Sequence, residues 1–268
     1  MKISNSYFAI LVAFLLFSCS NDNESTGNTS NFSTPLTLGS YWTYDVVSQG
    51  NTTRDSLFID SETTINNSTY KIFKTRDDVA TGFYSSALRN NKVREANGKL
   101  LLTGDLAIAA NQTFPFTIDL SLDDFVIFDK NASNNQTLNA TPKTGTINET
   151  INGYPLAINY SLQTYGGETL ASFTSPDGTV YTDVKSTKIK LNLNITTEIT
   201  VLGSSQTITA LAPQDVLVAT MYLSDGIGVV HTHTVTSYSV NSLIATELSI
   251  QETDTQFQDE YLDLYEIN

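Results

Sequence analysis

The sequence predicts an all-β protein built mainly from antiparallel strands. Residues Lys188–Thr196 (KIKLNLNIT) alternate between apolar and polar side chains, which is the period of a strand with one buried face. Pro176-Asp177-Gly178 and Asp225-Gly226 are turn sequences that separate further segments of this kind. The chain also holds 38 threonines but only two methionines, and threonine favours pleated, half-buried surfaces. Consecutive strands joined by short turns predict an open or half β-barrel or curved meander sheet, with a β-sandwich as the alternative.

The remaining strands are predicted from shorter alternating segments. Residues 197–201 extend the strand predicted at Lys188–Thr196. A short helix is expected within Asp77–Arg89. No change of composition divides residues 35–268, so we expect a single β domain there. The further predicted strands are Tyr41–Val47, Asp55–Ile59, Tyr70–Thr75, Thr113–Leu120, Leu156–Tyr165, Leu170–Thr174, Thr179–Val184, Gln206–Leu211, Val216–Leu223, Gly228–Val240 and Leu243–Gln251.

The first 18 residues have the pattern of a secretory signal peptide. After Met1-Lys2, Phe8–Phe17 runs ten residues without a polar side chain. That length suits a signal peptide core of about 7–15 residues and is short of the roughly 20 that a membrane span needs. Ser18 directly precedes Cys19, the only cysteine. This arrangement resembles the lipobox of bacterial lipoproteins, which implies that Cys19 is acylated; the alternatives are a buried free thiol and ordinary secretion with cleavage nearby.

Residues 19–34 are expected to form the acylated cysteine and a flexible tether. Ser20–Thr34 contains one aromatic and no aliphatic side chain, so it cannot bury enough apolar area to order itself. Asp22 and Glu24 resemble the acidic export tags of lipoproteins from Bacteroidota. This resemblance implies attachment to the outer membrane, with the cell surface favoured over the periplasmic face.

Three short segments resemble a broad set of uncharacterised Bacteroidota lipoproteins. Pro35–Tyr44 (PLTLGSYWTY) is similar to their "PLxxGxxWxY" opening, Thr64–Lys71 (TINNSTYK) to an "xxNGxxYY" stretch, and Met221–Val230 (MYLSDGIGVV) to a "WYAxGVGLV" stretch. The resemblance implies a β-rich lipoprotein of unknown biochemical role. Some such chains resemble the half barrels of lipoprotein carriers, which hold acyl chains in a concave face.

Two groups of residues are candidates for a metal site. His231 and His233 lie two apart on a predicted strand, so both imidazoles point to one face. Zinc would need a third ligand from another strand, which the sequence does not select; a solvated or lumen-facing stretch is the alternative. Asp119, Ser121 and Asp123 share a face and offer oxygen ligands of the kind that calcium takes. They lack the turn glycine of an EF-hand, which favours a solvated acidic strand edge.

Trp42 and Tyr44 are the candidate ligand-binding residues. They share one face of the first strand, where they either form an aromatic platform for a sugar or cap the core. Gly226 and Gly228 indicate a tight hairpin rather than a phosphate cradle. No G-x-S-x-G or H-E-x-x-H motif occurs, so we expect neither enzymatic activity nor a cofactor.

The net charge of −14 argues against nucleic acid as a partner and against adsorption to anionic lipid surfaces. The sequence therefore favours a non-enzymatic lipoprotein that is anchored to the outer membrane through Cys19 and holds a lipid or another hydrophobic ligand in an apolar concavity. The alternatives are a surface interaction module that binds a glycan or a partner protein, and a structural envelope protein without a ligand.

Overall fold

Twelve antiparallel strands form one sheet that curves into a nearly closed barrel with one unsealed seam. The structure is a computed structural model and describes residues 31–108, 118–201, 204–248 and 250–268. The spatial order of the strands is β6-β5-β4-β3-β2-β1-β12-β11-β10-β9-β8-β7. The predicted all-β, barrel-like class is therefore confirmed. No helix among the described residues is long and apolar enough to cross a membrane.

The strands differ widely in length, from five residues to 22. The helices are short, and each connects two strands that follow one another along the chain. The elements are β1 (Tyr41–Ser48), β2 (Asn51–Ile65), β3 (Ser68–Thr75), a 3₁₀ turn (Arg76–Asp78), α1 (Phe83–Leu88), β4 (Lys92–Ala96), β5 (Lys99–Ile108), β6 (Ile118–Asp129), β7 (Lys143–Ile151), β8 (Tyr154–Thr174), β9 (Val180–Val201), β10 (Ser204–Ser224), β11 (Gly228–Ser239), α2 (Ser242–Leu248) and β12 (Thr253–Glu266).

The meander follows from two-residue turns between neighbouring strands. Asn97-Gly98 joins β4 to β5 and Asn152-Gly153 joins β7 to β8, and all four residues have positive φ. A two-residue hairpin with φ > 0 at both positions matches the right-handed twist of the strands, which is why Asn-Gly is favoured there. Each strand consequently pairs with its neighbour along the chain, except at β6 and β7. The first and last strands, β1 and β12, pair with each other and join the two halves.

Apolar side chains from the inward faces of the strands fill the barrel. The alternation predicted for residues 188–196 is confirmed, since Ile189, Leu191, Leu193 and Ile195 are all buried while the intervening side chains are more exposed. Asp119, Ser121 and Asp123 are exposed on β6 with buried leucines between them, as predicted for one face of a strand. The largest fully buried apolar side chains are Tyr44, Leu57, Ile59, Ile118, Leu120, Ile158, Leu162, Leu191 and Leu193.

The predicted strand at Leu243–Gln251 is wrong, because residues 242–248 form α2. Asn241 Oδ1 accepts a hydrogen bond from Leu243 N at 3.0 Å, which satisfies one of the free N–H groups at the start of the helix. Ile244 and Ala245 are buried against the core, as adjacent positions on a helix can be. The strand that joins the two halves of the sheet, β12, follows this helix and was not predicted, nor were β4, β5 and β7. Part of another predicted strand, residues 113–117, lies outside the described residues.

The seam between β6 and β7 is bridged by side chains instead of a strand ladder. Asn139, in the loop before β7, accepts from Val126 N at 2.9 Å and donates to Val126 O at 3.0 Å. Thr164 Oγ1 donates to the same carbonyl at 2.5 Å, and Thr187 Oγ1 donates to Ile127 O at 3.1 Å. These bonds satisfy backbone groups on the free side of β6, which would otherwise be costly to bury.

The packed part of the chain begins before β1, within the segment that the sequence assigns to the tether. Phe32 is buried with its ring 5.6 Å from that of Phe128. Ser33 N donates to Asp225 Oδ1 at 2.6 Å, and Gly226 N donates to Ser33 O at 2.9 Å. Residues 31–34 therefore dock beside the β10–β11 turn, at the end of the barrel that we call the tether end.

Candidate functional site

The short helix α1 packs inside the barrel. The segment between β3 and β4 turns into the lumen, so that Phe83, Tyr84, Ala87 and Leu88 face side chains of β5, β6, β8, β9 and β10. A six-residue helix has too few internal hydrogen bonds to be stable alone. Its position therefore depends on the groups that receive its first N–H groups.

The carboxylate of Asp55 holds the chain just before α1. Asp55 lies on the inward face of β2 and is buried. Its oxygens accept hydrogen bonds from Thr81 N at 2.9 and 3.0 Å, from Thr81 Oγ1 at 2.9 Å and from Gly82 N at 2.8 Å. These bonds fix the position of the segment that leads into α1.

A second buried carboxylate, that of Glu260 on β12, receives the first turn of α1. Glu260 Oε1 accepts from Tyr84 N at 2.6 Å, and Oε2 accepts from Ser85 N at 3.3 Å and Ser85 Oγ at 3.2 Å. Glu260 has no exposed surface. Burial raises its pKa to about 7, because the hydrogen bonds offset only part of the lost hydration, and the nearby Asp55 carboxylate adds to the increase. Sequence reasoning missed both acids, since no local pattern marks two carboxylates more than 200 positions apart as neighbours.

Two small cavities lie inside the barrel around α1, among the residues that the structure describes. A cavity of about 40 Å³ lies beside Trp42, Tyr84 and Met221, and one of about 20 Å³ lies beside Phe83 and Leu162. Pockets for small-molecule ligands are usually about 300–1,000 Å³. Neither of these two cavities has room for an acyl chain.

The structure places Trp42 and Tyr44 in this core. Trp42 Nε1 donates to Ile227 O at 2.7 Å, and Tyr44 Oη donates to Val229 O at 2.9 Å. Both side chains are buried, and the indole packs on the ring of Phe73 with centroids 6.3 Å apart. Trp42 links β1 to the β10–β11 turn and Tyr44 links it to β11, and neither offers an exposed face on which a sugar could stack.

His231 and His233 lie on the outward face of β11, and both approach Asp259 of β12. His233 Nδ1 is 2.8 Å and His231 Nε2 is 3.5 Å from Asp259 Oδ1. His231 is buried beneath Phe173, Tyr222 and Tyr261, and its burial lowers its pKa. Within the described ranges, no group of three or more His, Cys, Asp and Glu side chains is arranged to hold a metal ion. Asp259 acts here as a hydrogen-bond partner of His233.

A groove of about 490 Å³ lies on the outward side of β1 and β2. Tyr41 and Phe58 form a direct cross-strand pair there, and Thr43 and Ser56 form the next outward pair. The side chain of Tyr41 is 38 % exposed, so one ring at this groove is available to solvent. Two rings beside two hydroxyl groups present both apolar and hydrogen-bonding surface within one ligand-sized depression.

The other wall of the groove comes from the chain that leaves β3. Arg76 and Asp77 are exposed and line it, and Asp77 has φ 58°, a left-handed conformation that is uncommon for a residue other than glycine. Thr75 also borders the groove, but it pairs with Leu57, so its buried side chain lies on the inward face of the sheet. Local sequence patterns do not predict this site, because its residues come from three strands and a turn.

Cys19, the predicted point of lipid attachment, lies outside the described residues, as do the whole signal peptide and most of the tether. No protein-family model and no curated protein sequence matches this chain. The chain is similar to a candidate lipoprotein from Parabacteroides distasonis ATCC 8503, known from a crystal structure, with 14 % sequence identity and a TM-score of 0.36. The similarity covers 88 % of this chain and 98 % of that one. At this identity and TM-score, the match carries no argument about function.

Proposed function

We propose that this protein is a non-catalytic, lipid-anchored module of the bacterial outer membrane that binds a glycan in the outward groove between β1, β2 and the Arg76–Asp78 turn. The observation that carries the proposal is the contrast between the groove and the lumen. The groove, at about 490 Å³, has the volume of a ligand site, whereas the two cavities beside α1 hold about 40 and 20 Å³. This contrast favours a surface interaction module over a carrier of lipid in the barrel.

The side chains of the groove suit a sugar. The rings of Tyr41 and Phe58 can pack on the apolar face of a pyranose, since stacked rings contribute beyond simple area burial. Arg76 donates and Asp77 accepts hydrogen bonds, so the pair can bind vicinal hydroxyl groups.

The anchor completes the proposal. An apolar run that ends in Ser18-Cys19 supports diacylation of the thiol, and attachment by more than one acyl chain is stable where one chain alone is marginal. Asp22 and Glu24 support display on the cell surface over the periplasmic face. A module on a short tether would then present its groove close to the membrane.

An array of bacterial-envelope and host glycans, probed with the unacylated mature chain, tests the proposal. We expect a defined set of glycans to bind, and a Tyr41→Ala/Phe58→Ala variant to lose at least about tenfold in affinity for them, since aromatic anchors carry much of the energy of such sites. The matched control is Phe257→Ala, which removes another exposed aromatic ring from the outer surface and should leave binding unchanged. Absence of glycan binding by the wild type, or retention of binding by the double variant, would reject the assignment, and capture of a protein at the same groove would indicate the alternative partner class.

A further inference from the structure

Exposed apolar side chains are concentrated at the tether end of the barrel. Leu38, Val180, Leu264 and Tyr265 are 42 %, 61 %, 56 % and 46 % exposed. Tyr265 pairs with Trp42 and Leu264 with Thr43, at the beginning of β1 and the end of β12. We call these four residues the tether-end rim.

Other contacts bring the members of the rim to the same end. Asn268 N donates to Ser40 Oγ at 3.2 Å, which places the last residue beside the turn that follows Leu38. Tyr181 Oη lies 3.5 Å from Leu262 O, so the start of β9 lies over the end of β12 and leaves the adjacent Val180 facing outward. The rim therefore combines three segments that are far apart in the sequence.

The chain leaves the barrel at this end toward the predicted anchor. Residues 31–34 dock beside the β10–β11 turn through the hydrogen bonds of Ser33. Eleven residues, 20 to 30, separate this docked segment from Cys19. A random coil of that length would span roughly 17–20 Å, from about 5–6 Å times the square root of its length. A tether of this length lets the tether end reach the bilayer surface whenever Cys19 is in it.

We infer that the tether-end rim lies against the lipid bilayer and inserts its apolar side chains into the interface; this rests on the proposed anchorage at Cys19. Leucine and valine gain free energy when they leave water, and the amphipathic ring of tyrosine prefers the headgroup level. The net charge of −14 makes the contact apolar rather than electrostatic, so neutral phosphatidylcholine is a sufficient surface. The opposite end, with α2, then faces away from the membrane.

The inference is tested with the full acylated chain in phosphatidylcholine vesicles that contain a doxyl-labelled lipid as quencher. Because acylation blocks Cys19, a second cysteine is the only free thiol, and it carries an environment-sensitive fluorophore. Leu264→Cys and Val180→Cys report on the rim. Leu243→Cys on α2 and Phe257→Cys on β12 are controls of similar exposure, 66 % and 55 %. Phe257 lies toward the opposite end, because the adjacent Gln258 pairs with Ser48 beside the β1–β2 turn.

We expect quenching at both rim positions to exceed that at both control positions at least twofold, with a blue shift of emission only at the rim. Equal quenching at rim and control positions would overturn the inference, and so would an absence of quenching at all four on vesicle-bound protein. Flotation of the vesicles is measured first on the same samples. A chain that does not float with the vesicles shows that the anchorage has failed, which is distinct from a floating chain whose rim stays in water.

Discussion

Replacement of Glu260 by glutamine should remove a pH dependence from the stability of the fold. Glu260 is fully buried where it caps α1, and its pKa is raised from 4.5 to about 7 by that burial. In the unfolded chain the side chain returns to its ordinary pKa. Between about pH 4.5 and pH 7 the folded protein therefore binds more protons than the unfolded chain, so its free energy of unfolding decreases as the pH rises through this window.

The expected magnitude follows from the shift. About 2.5 pKa units at about 1.4 kcal/mol each correspond to roughly 3 kcal/mol across the window, with little change above pH 7 or below pH 4.5. Glu260→Gln does not titrate, and its amide can still accept the hydrogen bond from Tyr84 N. The free energy of unfolding of the wild type, minus that of the variant, should therefore fall by roughly 3 kcal/mol between pH 4.5 and pH 7.5.

Urea unfolding at a series of pH values, followed by the fluorescence of the single, buried Trp42, measures this difference. Burial lowers the pKa of His231, which weakens the fold as the pH falls and partly masks the effect in the wild type alone. Because both proteins contain His231, its contribution cancels in the difference. Glu149→Gln, at an exposed position on β7, is the control and should give a curve parallel to that of the wild type. A constant difference between wild type and Glu260→Gln over the whole range would refute the reasoning.

Three further substitutions test how the barrel is held together, each by urea unfolding at pH 7.5. Asp55→Ala should lower the free energy of unfolding by about 2–4 kcal/mol, since it leaves several buried donors before α1 without an acceptor; a loss below 1 kcal/mol would contradict this role. Asn139→Ala should cost about 1–3 kcal/mol by unpairing β6 at the seam, whereas Asn134→Ala in the same exposed loop should cost less than about 0.5 kcal/mol. Gly82→Ala should cost about 1–3 kcal/mol, because a Cβ there would collide with the carboxylate of Glu260, and Glu260→Ala should relieve that collision in the double variant.

Strands were predictable where alternation was strict and one face was apolar. The segment Lys188–Thr196 met both conditions and lies within β9. β12 could not be predicted in this way, because Thr253–Glu266 is rich in acids and amides. One of those acids, Glu260, points inward and is tolerated only because α1 donates to it. Because α1 comes from a distant part of the chain, the sequence of this stretch alone does not predict a strand with an inward acid.

The barrel class was within reach of the sequence, but the contents of the lumen were not. Turn chemistry such as Asn97-Gly98 indicates which strands are neighbours. It carries no information about a loop that turns inward. Whether residues 79–91 fold inside or outside depends on Asp55 and Glu260, which reach α1 from strands that are distant in the sequence. The apolar concavity was expected because the strands have one apolar face. The prediction did not include α1, which occupies the inner side of those strands.

The candidate binding residues show the same limit. Trp42 and Tyr44 were selected because they share one face of a strand. The alternation of side chains along that strand does not show whether the face points inward. Their neighbour Tyr41 points outward, and its partner Phe58 becomes visible only once β1 and β2 are in register. The groove is assembled from cross-strand pairs, so it depends on the register of β1 and β2. A single sequence does not determine that register.

The most direct test of the account is native mass spectrometry of residues 20–268, purified without detergent from a bacterial host. Our central claim is that the barrel lumen is filled by the chain's own side chains and by α1, so that ligands bind on the outside. We predict the mass of the polypeptide alone, or with a glycan that the Tyr41→Ala/Phe58→Ala variant fails to retain. A retained fatty acid or phospholipid that is released on denaturation would contradict the claim. It would favour the hypothesis that the barrel carries a lipid.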